Sequence, residues 1–143
     1  MSDLKTRVEK ELRSNILPFW LKYTVDEEFG GFRGQITNDL VIDAKADKGL
    51  ILNTRILWTF SKAFTMYRED VYLKAATRAY DYIVRHFWDE RFGGVYWMLN
   101  YRAEPSDMRK EITVLLLDQM FSSTAIGPMS VNQSARGLVD RHG

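Results

Sequence analysis

The sequence predicts an all-α fold with short β-hairpins, built from helical hairpins that repeat along the chain. The first observation is a motif, Asp-Glu-x-Phe-Gly-Gly, that occupies residues 26–31 and recurs 63 residues later at 89–94 with five of six positions identical. The second is that an amphipathic stretch ending in aromatic residues precedes each copy. A fixed period of this length is typical of a structural unit that is used more than once.

Hydrophobic spacing predicts three helices. The first has an apolar residue at every fourth position from Leu4 to Trp20, and we expect it to end or kink around Leu17 because Pro18 interrupts the pattern. A second helix over about 48–67 carries large apolar residues on many faces, which is typical of a buried helix. A third helix covers about 69–87. Its predicted buried face consists of Tyr72, Ala75, Ala76, Ala79, Tyr80, Ile83 and Phe87, and its predicted solvent face of Lys74, Arg78, Asp81 and Arg85.

The segments between and after the helices are predicted to form hairpins, a turn and a tail. Each Gly-Gly motif is expected to open a short hairpin, the second over 94–102. Residues 105–107 (Pro-Ser-Asp) are typical of a turn that caps a fourth helix. After Phe121 no helical or strand periodicity continues, and small and polar residues dominate. We therefore predict a partial helical domain over 1–121 and a poorly ordered tail over 122–143.

Composition limits the function classes. The 143 residues carry a net charge of +1 from 20 basic and 19 acidic residues, which gives no electrostatic reason to expect nucleic acid or an anionic membrane as a partner. The absence of cysteine excludes disulfides and cysteine-ligated metals. The charged N-terminal segment has no apolar signal core, and no apolar run reaches the roughly 18 residues of a membrane span. These features predict a soluble cytoplasmic protein.

Several short motifs together carry a resemblance to a known family. They are Pro18-Phe19-Trp20, the segment from Asp26 to Phe32, Ala46-Asp47-Lys48-Gly49, Arg55-Ile56-Leu57-Trp58 and Gly93-Gly94-Val95-Tyr96-Trp97. Over about residues 4–112 this combination resembles the N-terminal part of the N-acylglucosamine 2-epimerase family, and within that family the cellobiose 2-epimerases. The resemblance implies the N-terminal fragment of an (α/α)6 barrel, about two helical hairpins, with the active site at the mouth of the inner helices.

The resemblance also implies a reaction. In this family one histidine removes the proton at C2 of a reducing-end sugar and a second histidine returns it to the other face, which links a glucose unit to a mannose unit. It implies a small sugar as partner, a disaccharide or an N-acyl hexosamine, and no metal or nucleotide cofactor. Arg55 matches the family's active-site arginine. A guanidinium, which is always charged, suits the oxygen that becomes negative when the C2 proton leaves.

The chain departs from the family pattern after Ile112, where the match stops. Its two histidines, His86 and His142, match no catalytic histidine of the family, and six repeats of 63 residues would exceed the 143 residues more than twofold. We therefore expect a truncated barrel that is inactive alone. The alternative is a non-catalytic helical fragment that self-associates through exposed apolar helix faces, with Trp58, Phe60 and Phe64 partly exposed.

Arg55 and His86 each allow a plain structural interpretation. Lys48, Arg55 and Lys62 stand seven residues apart, a spacing that usually means a solvated basic face, although the resemblance favours a substrate contact for Arg55. His86 is expected to have a structural role at a helix C-terminus, because a lone histidine lacks a catalytic partner.

Two further motifs are candidates for a sugar-binding or catalytic site. Tyr96 and Trp97 could stack on a sugar ring or pack over helix ends, and both interpretations stay open. The paired acids at 26–27 and 89–90 are expected to serve turns and caps, since adjacent carboxylates do not face each other.

Overall fold

The computed structural model describes residues 2–110 of the chain. In chain order the elements are α1 (Ser2–Glu11), a first π-helical turn (Leu12–Ile16), α2 (Leu17–Tyr23), β1 (Gln35–Ile36), β2 (Ile42–Asp43), β3 (Lys48–Gly49), α3 (Leu50–Tyr67), α4 (Asp70–Tyr82), a second π-helical turn (Ile83–Phe87), β4 (Met98–Leu99) and β5 (Pro105–Asp107). The predicted fourth helix and the predicted tail over 122–143 lie outside the described residues.

The first helical segment does not end at Leu17, but its regularity is interrupted there, because a π-helical turn over Leu12–Ile16 gives way to α2 at Leu17. A π-helical turn inserts one extra residue before the proline, and the backbone N–H of Leu17 donates to the carbonyl of Leu12. Pro18 then falls in the first turn of α2, where a missing N–H costs nothing. The segment continues to Tyr23, and Thr24 closes it with its backbone N–H and its hydroxyl both donating to the carbonyl of Trp20.

The helices α3 and α4 form a packed hairpin, as predicted from their periodicity. Arg68 between them adopts a left-handed conformation (φ 57°) and its N–H donates to the carbonyl of Phe64 at 2.9 Å. Ala76 and Ala79 of α4 are fully buried, because alanine lets the two helices approach closely. The predicted apolar face of α4 and its π-helical turn is buried throughout.

Two small antiparallel sheets flank this hairpin. β1 pairs with β2, and β4 pairs with both β3 and β5. The turn predicted at 105–107 is instead strand β5, and this is a correction, whereas the fourth helix that it was expected to cap lies outside the described residues. The Ser106 hydroxyl donates to Oδ2 of Asp47 at 2.7 Å, and Asp107 accepts the N–H of Arg109. The polar side chains that suggested a cap therefore stabilise a sheet edge and a turn.

The predicted exposure of apolar residues is correct in part. Trp58 is 43% exposed and Phe64 is half-buried, but Phe60 is buried because it stacks on Tyr72 with ring centroids 6.2 Å apart. On the first helical segment, Leu4, Val8 and Ile16 are 66%, 59% and 44% exposed. Within residues 2–110, no helix has the length and apolar character that would let it cross a membrane.

Candidate functional site

The first Gly-Gly motif folds as a closed loop around Asp26. Its Oδ1 accepts the backbone N–H groups of Glu28 and Phe29, both at 3.1 Å. The main chain closes the loop as well, since Gly30 N–H donates to the Asp26 carbonyl and Asp26 N–H donates to the Gly31 carbonyl, both at 3.1 Å. Both glycines are left-handed, with φ of 80° and 64°, a conformation that residues with a Cβ rarely adopt.

The second motif repeats this geometry. Asp89 Oδ1 accepts the N–H groups of Arg91 and Phe92 at 2.9 and 3.1 Å. Gly93 N–H donates to the Asp89 carbonyl at 2.8 Å, Asp89 N–H donates to the Gly94 carbonyl at 2.9 Å, and the glycine φ angles are 70° and 83°. The expectation that these acids serve turns is confirmed for both aspartates.

Each loop also holds one lysine, in an arrangement we call the Asp–Lys latch. Lys48 Nζ donates to Asp26 Oδ2 and to the Gly30 carbonyl, both at 2.7 Å. Lys110 Nζ donates to Asp89 Oδ2 and, at 2.7 Å, to the Gly93 carbonyl. The solvated basic face expected for Lys48 is wrong, because its side chain is 2% exposed. Lys48 belongs to β3, directly before α3, and so ties the start of α3 to the first loop.

The first latch is a buried ion pair with a third charge beside it. Burial raises the pKa of Asp26, but the hydrogen bonds from Lys48 and from the Phe29 backbone outweigh it, so the pKa is lowered overall. Burial lowers the pKa of Lys48, and Asp26 opposes that change. Arg33 Nη1 lies 3.3 Å from Asp26 Oδ1. The carboxylate is therefore ionised at neutral pH and is held by cations on two sides.

The second latch is more open, with the Lys110 side chain 33% exposed and that of Asp89 5% exposed. The hydrogen bond from Lys110 lowers the pKa of Asp89 to about 2, against a smaller opposing effect of burial. The two latches thus share one geometry and differ in how well water is excluded from the lysine.

Arg78 fixes the first loop from the opposite side. Its Nε donates to the Gly31 carbonyl at 2.9 Å and its Nη2 to the Asp26 carbonyl at 2.5 Å. The expectation that Arg78 faces water is therefore wrong, because the guanidinium closes over main-chain acceptors that the left-handed glycines turn outward. The loop consequently connects α4, through Arg78, with the start of α3, through Lys48.

Arg55 lies on the exposed face of α3. Residues 53 and 54, on the other side, are buried: Asn53 Nδ2 donates to the Gly49 carbonyl at 2.8 Å, and Thr54 is 3% exposed. Within residues 2–110 the Arg55 guanidinium has no hydrogen-bond or ion-pair partner. Trp58, three residues on and 43% exposed, is its neighbour on the helix surface. Trp58 was expected to be partly exposed but was not predicted as a site residue, although its three-residue spacing from Arg55 was a signal for that role.

The second hairpin brings Trp97 to the start of the same helix. The Trp97 carbonyl accepts the backbone N–H of Leu50, the first residue of α3, at 3.0 Å. Arg55 follows five residues later, about 7.5 Å along the helix axis. Trp97 is half-buried, whereas Tyr96 packs against the core, with Lys110 Nζ 5.8 Å from its ring centroid. The geometry favours packing for Tyr96 and leaves Trp97 at the same end of α3 as Arg55.

His86 belongs to a different surface. It lies in the second π-helical turn, and its ring centroid is 4.8 Å from that of Tyr82. Partial burial lowers the pKa of His86, and the nearby positive charges of Arg85 and Lys48 lower it further. The groove that it lines, about 580 Å³, is formed by the first Gly-Gly loop and by α4 and its π-helical turn, and no residue of α3 lines it. The structure therefore does not bring His86 together with Arg55, and His142 lies outside the described residues.

Comparison with known proteins identifies relatives of this arrangement. No family profile matches the chain. The cellobiose 2-epimerase of Bacteroides fragilis is 50% identical over 109 residues, which are 76% of this chain and 28% of the relative. The cellobiose 2-epimerase of Ruminococcus albus is 42% identical over 105 residues, 73% of this chain and 27% of the relative. The chain thus spans little more than a quarter of the length of these curated relatives.

Solved structures agree with the sequence comparison. The cellobiose 2-epimerase of Bacillus thermoamylovorans B4167 superposes with a TM-score of 0.85 at 32% identity, covering 99% of this chain and 36% of that protein. A sugar epimerase from a ruminal bacterium gives a TM-score of 0.82 at 36% identity, covering 95% of this chain and 34% of the other. A D-mannose isomerase, at 20% identity and a TM-score of 0.77, shares the fold.

The predicted fold class is therefore confirmed: the chain has the fold of about one third of an (α/α)6 barrel, with short strands between its helices. Over about three quarters of its length the chain matches part of the cellobiose 2-epimerases in sequence, so the resemblance expected from its motifs is confirmed as a partial match.

Proposed function

We propose that this chain supplies one part of the sugar site of a cellobiose 2-epimerase-like isomerase, with Arg55 as the contact to the substrate oxygen. The observation that carries the proposal is the exposed Arg55 guanidinium, which has no partner among residues 2–110 and lies on a helix whose start is held by both hairpins. Lys48 holds that start to the first loop, and the Trp97 carbonyl accepts the N–H of the helix's first residue. A side chain on a fixed helix keeps its geometry better than one on a free loop.

The chemistry that this arrangement supports is proton transfer next to a carbonyl. When the C2 proton leaves, negative charge develops on the neighbouring oxygen, and a fixed guanidinium stabilises that charge. Trp58 beside Arg55 offers an apolar surface against which a sugar ring can rest. Proton removal and return need two bases that titrate near neutrality, and imidazole meets that requirement.

We also propose that the 143-residue chain does not turn over substrate by itself. Its only histidines are His86 and His142. His86 stands on a groove that α3 does not line. We therefore expect this chain to bind a sugar but not to epimerise it. A cytoplasmic location and the choice of sugar stay predictions.

The experiment that tests the sugar contact is cellobiose binding to the 143-residue chain, followed by calorimetry or NMR titration. A hydrogen bond to a charged group contributes about 1.5–3 kcal/mol, so Arg55→Ala should weaken binding by roughly ten- to hundredfold. Lys74→Ala, which removes an exposed cation from α4, is the matched control and should bind as the parent does. Equal affinities for all three proteins would refute the role of Arg55.

A second candidate function, a non-catalytic fragment that associates with other chains, is favoured by one observation. Ile16 of the first helical segment is 44% exposed, whereas its counterpart one 63-residue period later, Ala79, is fully buried beneath α3. Leu4 and Val8 extend the same exposed stripe. Ile16 is therefore open where its counterpart is buried, and together with Leu4 and Val8 it forms an apolar stripe available for association.

Analytical ultracentrifugation tests this second candidate. The parent chain should associate at micromolar concentration, and Ile16→Glu should shift it toward the monomer by placing a charge in the apolar face. The control is Val71→Glu, a change at an exposed residue of α4. A parent chain that is monomeric at all concentrations would exclude association through this face.

A further inference from the structure

The groove that His86 lines carries an excess of positive charge. It has a volume of about 580 Å³ and lies between the first Gly-Gly loop and the helical segment formed by α4 and its π-helical turn. Its lining contains three cations, Lys74, Arg78 and Arg85, and one acid, Asp81. The lowered pKa of His86 leaves its imidazole neutral at pH 7, so the three cations exceed the single acid by two charges. A groove of this kind attracts an anion.

Hydrogen-bond donors recur at every fourth residue along this helical segment. The groove is lined by Lys74, Arg78, Tyr82 and His86. Side chains four residues apart are neighbours on a helix surface, and each of these four can donate a hydrogen bond. The ring centroids of Tyr82 and His86 are 4.8 Å apart, and Arg85 is the residue before His86. The segment therefore presents a row of donors to whatever occupies the groove.

Tyr82 is the member of this row that the rest of the fold does not satisfy. The residue is 4% exposed, and its hydroxyl oxygen is buried without a hydrogen-bond partner in the part of the chain that the structure describes. Burial, and after it the negative charge of Asp26, raises the pKa of Tyr82 to about 12, so the hydroxyl keeps its proton at neutral pH. A buried donor without an acceptor costs free energy, and a ligand oxygen would supply the acceptor.

The two arginines of the groove differ in how they are held. Arg78 is fixed, because its Nε and Nη2 donate to the carbonyls of Gly31 and Asp26 at 2.9 and 2.5 Å. Glu27 lies 3.5 Å from Arg78 Nη2, but its side chain is 82% exposed, so water screens that pair. Arg85 is exposed and forms neither a hydrogen bond nor an ion pair with any residue in 2–110. A fixed guanidinium and a free one thus face the same groove, and both suit an oxyanion.

We propose that this groove binds a phosphate group, either inorganic phosphate or the phosphate of a small ester. A phosphate group carries about −1.5 to −2 charges at pH 7 and three strong acceptor oxygens. Its charge matches the excess in the lining, and its oxygens match the donors of Arg78, Tyr82 and Arg85. No residue of α3 lines the groove, so this site is independent of the role proposed for Arg55.

The test is an NMR titration of the 143-residue chain with inorganic phosphate and with glycerol 3-phosphate, at neutral pH and at an ionic strength held constant with sodium chloride. The ring signals of His86 report on the groove. His86→Gln assigns them, since the chain has only one other histidine, His142. Both phosphates should shift these signals saturably, whereas glycerol without the phosphate should not.

Two variants test the residues of the site. Arg85→Ala and Tyr82→Phe should each weaken phosphate binding by roughly ten- to hundredfold, the loss expected for a hydrogen bond to a charged group. Arg85 is exposed and Tyr82→Phe removes only a hydroxyl, so both variants should keep the parent's far-UV circular dichroism. Arg55→Ala removes an exposed arginine from α3 and is the control, with an affinity for phosphate equal to that of the parent.

Each outcome bears on the site directly. Shifts that sodium chloride alone reproduces would overturn it, and so would an affinity of Arg85→Ala or Tyr82→Phe equal to that of the parent. A loss for Arg55→Ala as large as that for Arg85→Ala would also overturn it, because it would indicate a general charge effect. Binding of inorganic phosphate without binding of glycerol 3-phosphate would support the site and restrict it to the free ion.

Discussion

Replacing Lys48 by methionine removes the cation of the first Asp–Lys latch while keeping most of the side-chain volume. The change deletes two hydrogen bonds of 2.7 Å, to Asp26 Oδ2 and to the Gly30 carbonyl. Asp26 is fully buried and its lowered pKa keeps it ionised at neutral pH. The variant therefore leaves a buried carboxylate without its principal partner.

The expected loss of stability follows from that burial. Removing one partner of a buried ion pair costs about 3–5 kcal/mol. Asp26 keeps its two backbone N–H bonds and Arg33 at 3.3 Å, so we expect the lower end, about 3 kcal/mol. For an m-value of about 1.5 kcal/mol per M, the urea midpoint would fall by about 2 M.

Urea unfolding followed by circular dichroism measures this loss, and three further variants define its cause. Lys74→Met, at an exposed position, should change the free energy of unfolding by no more than about 0.5 kcal/mol. Lys110→Met should cost less than Lys48→Met because the Lys110 side chain is one third exposed. Asp26→Asn combined with Lys48→Met should be more stable than Lys48→Met alone, since the buried carboxylate that lost its principal cation is then replaced by a neutral amide. A loss for Lys48→Met no larger than that for Lys74→Met would refute the reasoning.

Two other predictions concern the loops. The pKa of Asp89 is depressed from 3.8 to about 2 in the folded chain, so its stabilising contribution is complete above about pH 4 and is lost as the pH falls toward 2. The urea midpoint of the parent chain should fall between pH 5 and pH 2, and that fall should be smaller in Asp89→Asn. An equal fall in both proteins would contradict a stabilising role for the ionised Asp89 carboxylate. Gly31→Ala should be less stable than Gly93→Ala by about 1–3 kcal/mol, the range for overpacking. Both glycines are left-handed, but a Cβ at Gly31 would lie 2.7 Å from the Tyr82 ring, whereas none of the described atoms comes within 4 Å at Gly93. Thermal unfolding compares the two variants, and equal midpoints would show that the Tyr82 ring moves aside for the added methyl group.

The structure could be predicted from the sequence where it is determined by residues close together in the chain. Helical periodicity predicted the extents of α3 and α4 closely, because each of these helices buries one regular face. The repeated Gly-Gly motif predicted both loops, because a left-handed backbone requires glycine and an aspartate before it accepts the turn's N–H groups. The family resemblance predicted the barrel fold from motifs that are each short.

Contacts between distant segments could not be predicted in the same way. Lys48 was misread as solvated because its partner, Asp26, lies 22 residues away, and Arg78 was misread because its acceptors are main-chain carbonyls 47 and 52 residues away. The sequence did contain one indication of the Asp–Lys pairs: Lys110 stands 21 residues after Asp89, close to the 22 residues between Asp26 and Lys48. Pro18 correctly indicated an irregularity near Leu17, but no sequence pattern indicated that a π-helical turn would let the helical segment continue to Tyr23.

The position of Arg55 was anticipated, but its role stays a prediction. Spacing alone placed it on a basic stripe with Lys48, and the structure separates the two, with Lys48 buried and Arg55 exposed. Exposure of Arg55 on a fixed helix is compatible with a substrate contact, and binding measurements decide it.

The most direct test of the account is whether the 143-residue chain exchanges the C2 proton of cellobiose. The chain is incubated with cellobiose in D2O, and NMR follows deuterium at C2 and the appearance of the mannose-containing epimer. We expect cellobiose binding that depends on Arg55, with neither deuterium incorporation at C2 nor formation of the epimer. Incorporation at C2 that Arg55→Ala abolishes would contradict it, because it would show that this chain carries its own bases.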